Sequence, residues 1–218
     1  MLRTVDLSEI SDGKLYDAND MVKADCKGCE GCSACCRGMG KSIVLDPLDV
    51  HRLTTGLGVP FEALLSQHIE LNVVDGLILP NLKMTESADA CPFLNGQGRC
   101  SIHAYRPGIC RLFPLGRFYE NDSFRYFLQV HECPKPSKAK IKVYKWLDTD
   151  DIRTYEQFIS DWHYFLKALQ ERIAGMEDQT QIRSICMYIL QQFYLAPCED
   201  FYEAFHGRLD EAKRYFEM

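Results

Sequence analysis

The sequence predicts a mainly α protein in two parts: a small irregular/β part rich in cysteine, and a C-terminal three-helix segment. Three observations lead there. From Asp151 onward, apolar residues recur at three- and four-residue steps, which lines them along one face of a helix. Nine of the eleven cysteines lie before residue 134, where the apolar stripes are short and broken. Within that half, the run "CKGCEGCSACC", Cys26 to Cys36, places five thiols in eleven residues. That density is too high for cysteines serving only as small buried apolar residues. The division falls near residue 145: residues 1–145 carry the cysteine cluster, and residues 146–218 are helical and pack on the first part as one compact unit.

Taken in order, residues 1–25 carry few apolar repeats and read as an irregular lead-in. After the cysteine run, "SIVL" reads as a short strand. "DPLDVHRL" has the marks of a helix start, with Asp46 as cap, Pro47 at the first helical position and Asp49 in the first turn; Gly56 and Gly58 end it. "PFEALLSQHIEL" reads as a second helix, and "LILPNLKMT" (residues 77–85) as an extended segment. "LGRFYENDSFRYFLQV" reads as a hairpin turning at Asn121–Asp122. The basic stretch "KPSKAKIKVYK", Lys135 to Lys145, reads as a solvated connector. Ile152, Tyr155, Phe158, Ile159, Trp162, Phe165, Leu166, Leu169 and Ile173 form the first long stripe, closed by Gly175. A second runs through Ile182, Ile185, Ile189 and Phe193 until Pro197, and a third through Phe201, Phe205, Leu209 and Phe216.

Composition narrows the function classes. The 46% hydrophobic and 26% charged content is that of a globular protein. The formal net charge of −6 counts every thiol as neutral, so metal-bound thiolates make the chain more acidic still. That argues against a nucleic-acid partner, which calls for a basic face. The opening "MLRTVDLSEISDGK" has acidic groups where a signal peptide needs an apolar core, and no apolar run reaches the length of a membrane span. The expected setting is a reducing cytoplasm, where dense cysteines mean metal or redox chemistry rather than disulfides. An odd total of eleven cysteines also fits a disulfide framework poorly.

Metal ligation requires several thiolates to converge. Cys26, Cys29, Cys32 and Cys35 are each separated by two residues, the local rhythm by which bacterial ferredoxins supply cluster ligands. Cys36 follows Cys35 directly. Side chains of neighbouring residues diverge, so the adjacent pair points to more than one metal ion, or to one ligand and one packing residue. Downstream, Cys91, Cys100, Cys110 and Cys133 arrive singly, beside Pro92, Pro107, Pro114 and Pro134. Arg99, Arg106 and Arg111 stand among them, placed to offset thiolate charge and donate hydrogen bonds to sulfur; the alternative for Arg106 and Arg111 is that they are surface residues or bind a carboxylate.

The ordered motifs "CEGCSACC", "CPFL", "CSIH" followed two residues later by "RP", "CRLFP" and "CP" resemble the CxxCxxCC family, also called YkgJ-like, described as zinc- or iron-chelating. The resemblance spans about Cys29 to Pro134. It implies that Cys29, Cys32, Cys35, Cys36, Cys91, Cys100, Cys110 and Cys133 are the metal-binding set. More distantly, the pattern is similar to that of flagellin lysine N-methylases, for which the resemblance implies an iron–sulfur cluster. Cys26 is an addition ahead of the family run, and His103 stands where members usually have tyrosine, which opens a Cys100–His103 ligand pair.

Structural zinc sites typically show two paired knuckles, whereas this chain has one dense run and then single cysteines. The cofactor expected is therefore an iron–sulfur cluster, with zinc the alternative. Three roles stay open: a structural zinc-binding interaction protein, a cluster-dependent protein lysine methylase-like enzyme, and an electron carrier. The partner expected is a protein or a protein substrate. "GMGKS" fails as a phosphate loop because Cys35 occupies the place of its first glycine, and no GxSxG or HExxH is present. Cys186, on an apolar stripe, reads as core, Cys198 as structural and Trp162 as a core anchor. His51 and His68 show no partner.

Overall fold

The computed structural model describes residues 6–26, 32–136 and 138–218. In chain order it holds α1 (Leu7–Ile10), β1 (Ser11–Tyr16), β2 (Met21–Asp25), a 3-10 turn (Ala34–Cys36), α2 (Pro47–Leu57), α3 (Phe61–Gln67), β3 (Ile69–Val74) and β4 (Leu77–Leu82). A second 3-10 turn (His103–Tyr105) precedes α4 (Gly108–Leu112), β5 (Leu115–Glu120), β6 (Ser123–Gln129), β7 (Ala139–Lys142) and α5 (Val143–Leu147). The chain closes with α6 (Ile152–Ala174), α7 (Gln179–Ile189), a π turn (Leu190–Leu195) and α8 (Phe201–Tyr215).

The expectation of a mainly α protein is corrected. The described residues are 45% helical and 22% strand, so helices and antiparallel sheets share the fold. The strands form three small sheets, ordered β1-β6-β5, β2-β7 and β3-β4. Much of the missed β structure lies in the two segments read as irregular. β1 of the N-terminal lead-in pairs with β6, setting Leu15 opposite Phe127. β2 pairs with β7 of the basic connector, setting Val22 opposite Ile141. Neither short strand has enough periodicity to stand alone; each is defined by a partner more than a hundred residues away.

The second reading to change is "PFEALLSQHIEL". The helix stops at Gln67 with His68 as its C-cap, and Ile69–Val74 pairs residue by residue with Leu77–Leu82. Asp75 and Gly76 both have positive φ, 47° and 89°, the backbone of a tight two-residue hairpin. The Asp-Gly pair is the local sequence signal for this hairpin. "SIVL" forms no regular strand but adds one bridge, Val44 to Asn81, at the edge of this hairpin.

Other elements follow their sequence signals. Asp46 caps α2 in a reciprocal capping box with Asp49, and Pro47 opens the helix. Gly58, in the left-handed region, ends it. Gly56 lies inside the helix rather than at its end: a Cβ there would meet the Tyr105 ring at 2.5 Å, so the glycine admits that ring. The hairpin of β5 and β6 turns at Asn121 and Asp122, both with positive φ.

The long stripe of α6 becomes the centre of the main core. Phe158, Trp162, Phe165 and Leu169 are buried there with Leu48, Leu53, Leu64 and Leu77 from the cysteine-bearing part and Phe193, Phe205 and Phe216 from the C-terminal segment. Phe158 meets Phe205 edge-on at 4.7 Å, and Trp162 packs on Phe193 at 5.0 Å. A smaller core joins Val22, Leu112, Tyr126, Val143 and Leu147. Among the described residues, no helix is long and apolar enough to cross a membrane.

Candidate metal centre

Short local devices bring three separate segments together. The one-turn helix Ala34–Cys36 closes with the Cys36 amide on the Ser33 carbonyl at 3.0 Å. The Cys36 carbonyl then accepts from the Cys91 amide at 2.8 Å, and the Gly38 amide donates to the Asp89 carbonyl at 2.7 Å. The stretch after the dense run is thereby stapled to the stretch before Cys91. Cys91 leads into a narrow loop bridged between Leu94 and Cys100. Inside it the Asn95 side chain accepts from the Gln97 and Arg99 amides.

Cys110 arrives on α4, whose first turn is anchored by the buried Asp49 of α2. Arg111, one residue on, is buried and donates to the carbonyls of Arg106, Ala104 and Asp148. It thus holds the loop between Cys100 and Cys110 from within. Arg111 is buried rather than at the surface; its hydrogen bonds go to main-chain oxygens, and the Asp148 carboxylate lies 3.6 Å from its Nη1.

The outcome is a group of five thiols. Cys36 lies within electrostatic range of Cys35, Cys91, Cys100 and Cys110. The contact between Cys35 and Cys36 pushes the Cys35 thiol up and holds Cys36 down, the proton staying on Cys35 and favouring charge on its neighbour. Burial is the main cause of the upward shifts of Cys91, Cys100 and Cys110, and Asp49 and the neighbouring thiols raise Cys110 further. Opposing this, the Phe93 amide donates to Cys91 and the Ile102 amide to Cys100, and the Arg106 charge favours thiolate at Cys35 and Cys100.

These features test whether a metal fits. Crowded thiols that resist ionising together are stabilised as thiolates by a shared cation, and soft sulfur donors suit zinc and iron–sulfur chemistry. Arg106 Nε is buried with no hydrogen-bond partner among the described residues. That leaves a donor beside two of the thiols for a charged sulfur to satisfy. The donor chemistry fits. Among the described residues, no three Cys, His, Asp or Glu side chains close on a single metal position; what they share is one electrostatic neighbourhood.

The remaining expected ligands are placed differently. Cys29 lies outside the described residues. Cys32 is half-buried just before the 3-10 turn, and Cys133 is half-buried with its carbonyl accepting from Lys138; no interaction of the described residues ties either sulfur to the five. Cys26 is buried at the end of β2. His103 faces Arg106, its Nε2 3.1 Å from Nη1. Cys186 sits in the main core, where its sulfur accepts from the Ile78 amide at 3.4 Å.

Fold and centre together define a thiol-rich chelating region built on an aromatic helical core. Residues 28–141, just over half of the chain, match the CxxCxxCC family, described as a "Putative zinc- or iron-chelating domain", and the chain belongs to that family. No curated protein and no solved structure shows a significant match to it.

Proposed function

We propose that this protein holds an iron–sulfur cluster through a set drawn from Cys29, Cys32, Cys35, Cys36, Cys91, Cys100, Cys110 and Cys133, in a reducing cytoplasm. The observation that carries the reading is the gathering of Cys35, Cys36, Cys91, Cys100 and Cys110 from three segments of the chain. Five thiols exceed the four of a closed zinc site. The unpartnered Arg106 donor beside them is the kind of group that neutralises an anionic cluster. The cluster, when bound, supplies iron-based electron exchange or purely structural cross-linking. The protein's own residues supply the thiolates, the amides of Phe93 and Ile102, and the Arg106 charge.

Zinc is the second reading, favoured by one observation: Cys36 with Cys91, Cys100 and Cys110 is a set of four thiols. Metal and acid-labile sulfide per chain, measured on protein purified without oxygen, decide between them. Iron with matching sulfide supports the cluster, and its count separates one centre from two. Zinc without sulfide replaces the cluster with a structural chelator, and the methylase-like and electron-carrier roles fall with it.

A further inference from the structure

Away from the cysteine cluster, a cavity of about 300 Å³ opens between α2, α3 and the link from the π turn to α8. Its wall includes His51, Thr55, Glu62, Cys198, Phe201 and Arg208. From sequence Cys198 reads as structural and His51 shows no partner; the fold places Cys198 Sγ 3.7 Å from His51 Nδ1. The half-exposed thiol therefore faces both a proton acceptor and an open space, the arrangement of an activated nucleophile. Its setting is built from both sides. Arg208 of α8 donates to the Pro197 carbonyl at 2.7 Å, fixing the residue before Cys198. The His51 ring rests against Phe201, with centroids 5.3 Å apart. The approach to Cys198 runs through a π turn, an irregularity often found at functional sites.

We propose that Cys198 is a reactive thiol that forms a mixed disulfide with a small, carboxylate-bearing disulfide seated in this cavity, with His51 as its proton acceptor and Arg208 as the carboxylate's partner. His51 is held toward its neutral form, first by burial and then by Arg52 and Arg208, so its ring nitrogen keeps a lone pair for the thiol proton. In the step, that proton passes to His51 Nδ1 and the Cys198 thiolate attacks one sulfur of the disulfide. The old S–S bond breaks as the new one forms, and the departing thiolate takes the proton back. The cavity's size is at the small end of ligand sites. Of the charged groups on its wall, Arg208 attracts a carboxylate and Glu62 opposes one. The carboxylate therefore seats at the guanidinium donors that the Pro197 carbonyl leaves open. Cys186, in the core, has no such opening.

The test uses the whole protein with its metal retained, treated with dithiodipropionate or with neutral hydroxyethyl disulfide. Adduct formation is followed by intact mass and assigned by peptide mapping. The expected adduct is on Cys198, forming faster with the anionic disulfide. His51→Gln slows it about tenfold or more, and Arg208→Gln removes the anionic preference. Reaction at the rate of an ordinary exposed thiol in both wild type and His51→Gln overturns the proposal, as does failure to label Cys198. Circular dichroism confirms that each variant is folded. The readout is the rate at Cys198, so it stands or falls separately from the identity of the metal.

Discussion

Asp49 Oδ1 accepts a hydrogen bond of 2.6 Å from the backbone amide of Gly108, joining the first turn of α2 to the first turn of the helix that carries Cys110. The approach is close enough to require glycine. A Cβ on residue 108 would meet the Tyr155 hydroxyl at 2.8 Å and Asp49 Oδ1 at 3.5 Å. Gly108→Ala is therefore expected to lift α4 from α2 and to cost about 1–3 kcal/mol, the usual range for overpacking. Metal per chain should fall with it. Gly207→Ala is the control: it lies within α8, exposed, with nothing within 4 Å of its Cβ position. It should stabilise by roughly 0.5–1 kcal/mol. Denaturant titration of both variants checks the pair; equal behaviour would show that the α2–α4 contact does not discriminate.

Arg111 supplies a second test of how the loop is held. Its guanidinium spans the carbonyls of Arg106, Ala104 and Asp148, while its charge pairs with Asp148 at 3.6 Å. The Asp148 side chain is 81% exposed, so the ion pair adds little and the carbonyl bonds dominate. Arg111→Lys keeps the charge and loses the fork. It is expected to cost about 2 kcal/mol, and Asp148→Asn less than about 0.5 kcal/mol. A larger loss from Asp148→Asn in the same denaturation assay would put the charge pair first.

Local signals in the sequence were sufficient wherever one stretch of chain determines its own structure. The capping box of Asp46 and Asp49 fixes α2, the Asn121–Asp122 turn fixes the hairpin of β5 and β6, and the stripe from Ile152 to Ile173 fixes α6. Elements defined by distant partners were not legible. Met21–Asp25 has no pattern of its own that marks a strand; it becomes one because Ile141 lies opposite Val22. The same limit applies to the metal centre. Resemblance to the CxxCxxCC family implies that Cys35, Cys36, Cys91, Cys100 and Cys110 bind metal, but their gathering depends on the staple from Cys91 to Cys36 and on the arginine inside the loop. The pairing of His51 with Cys198 spans 147 residues and has no motif to announce it.

The N-terminus of α6 gives a pH-dependent prediction. Asp151 is held below the usual carboxylate range, first by the Thr154 hydroxyl, then by the Thr154 and Arg153 amides. A depressed carboxylate stabilises the fold above its unfolded pKa and loses that contribution as pH falls through its folded pKa. Asp151→Ala should therefore lower Tm at neutral pH, and the gap from wild type should close as the solution is acidified below the ordinary carboxylate range. Thermal melts followed by circular dichroism across that interval measure it. A gap independent of pH would assign the loss to packing rather than to the cap.

The contrast between two cysteines tests the centre most directly. Cys110 is raised by burial, then by Asp49 and the thiols around it, and a shared cation would favour its thiolate. Cys110→Ser removes a soft donor and is expected to lower metal per chain sharply. Cys186 is 2% exposed, and its sulfur serves the Ile78 amide within the main core. Cys186→Ser replaces a sulfur by a hydroxyl in apolar surroundings, so it should keep the metal and lose about 1–3 kcal/mol. Elemental analysis and denaturation on the same samples separate the two effects. If Cys110→Ser retained full metal content, the downstream segment would not belong to the centre, and the gathered thiols would be a packing arrangement instead. Metal loss in both variants would point to a general loosening of the fold. Loss confined to Cys110→Ser would tie ligation to the segment that Asp49 and Arg111 hold in place.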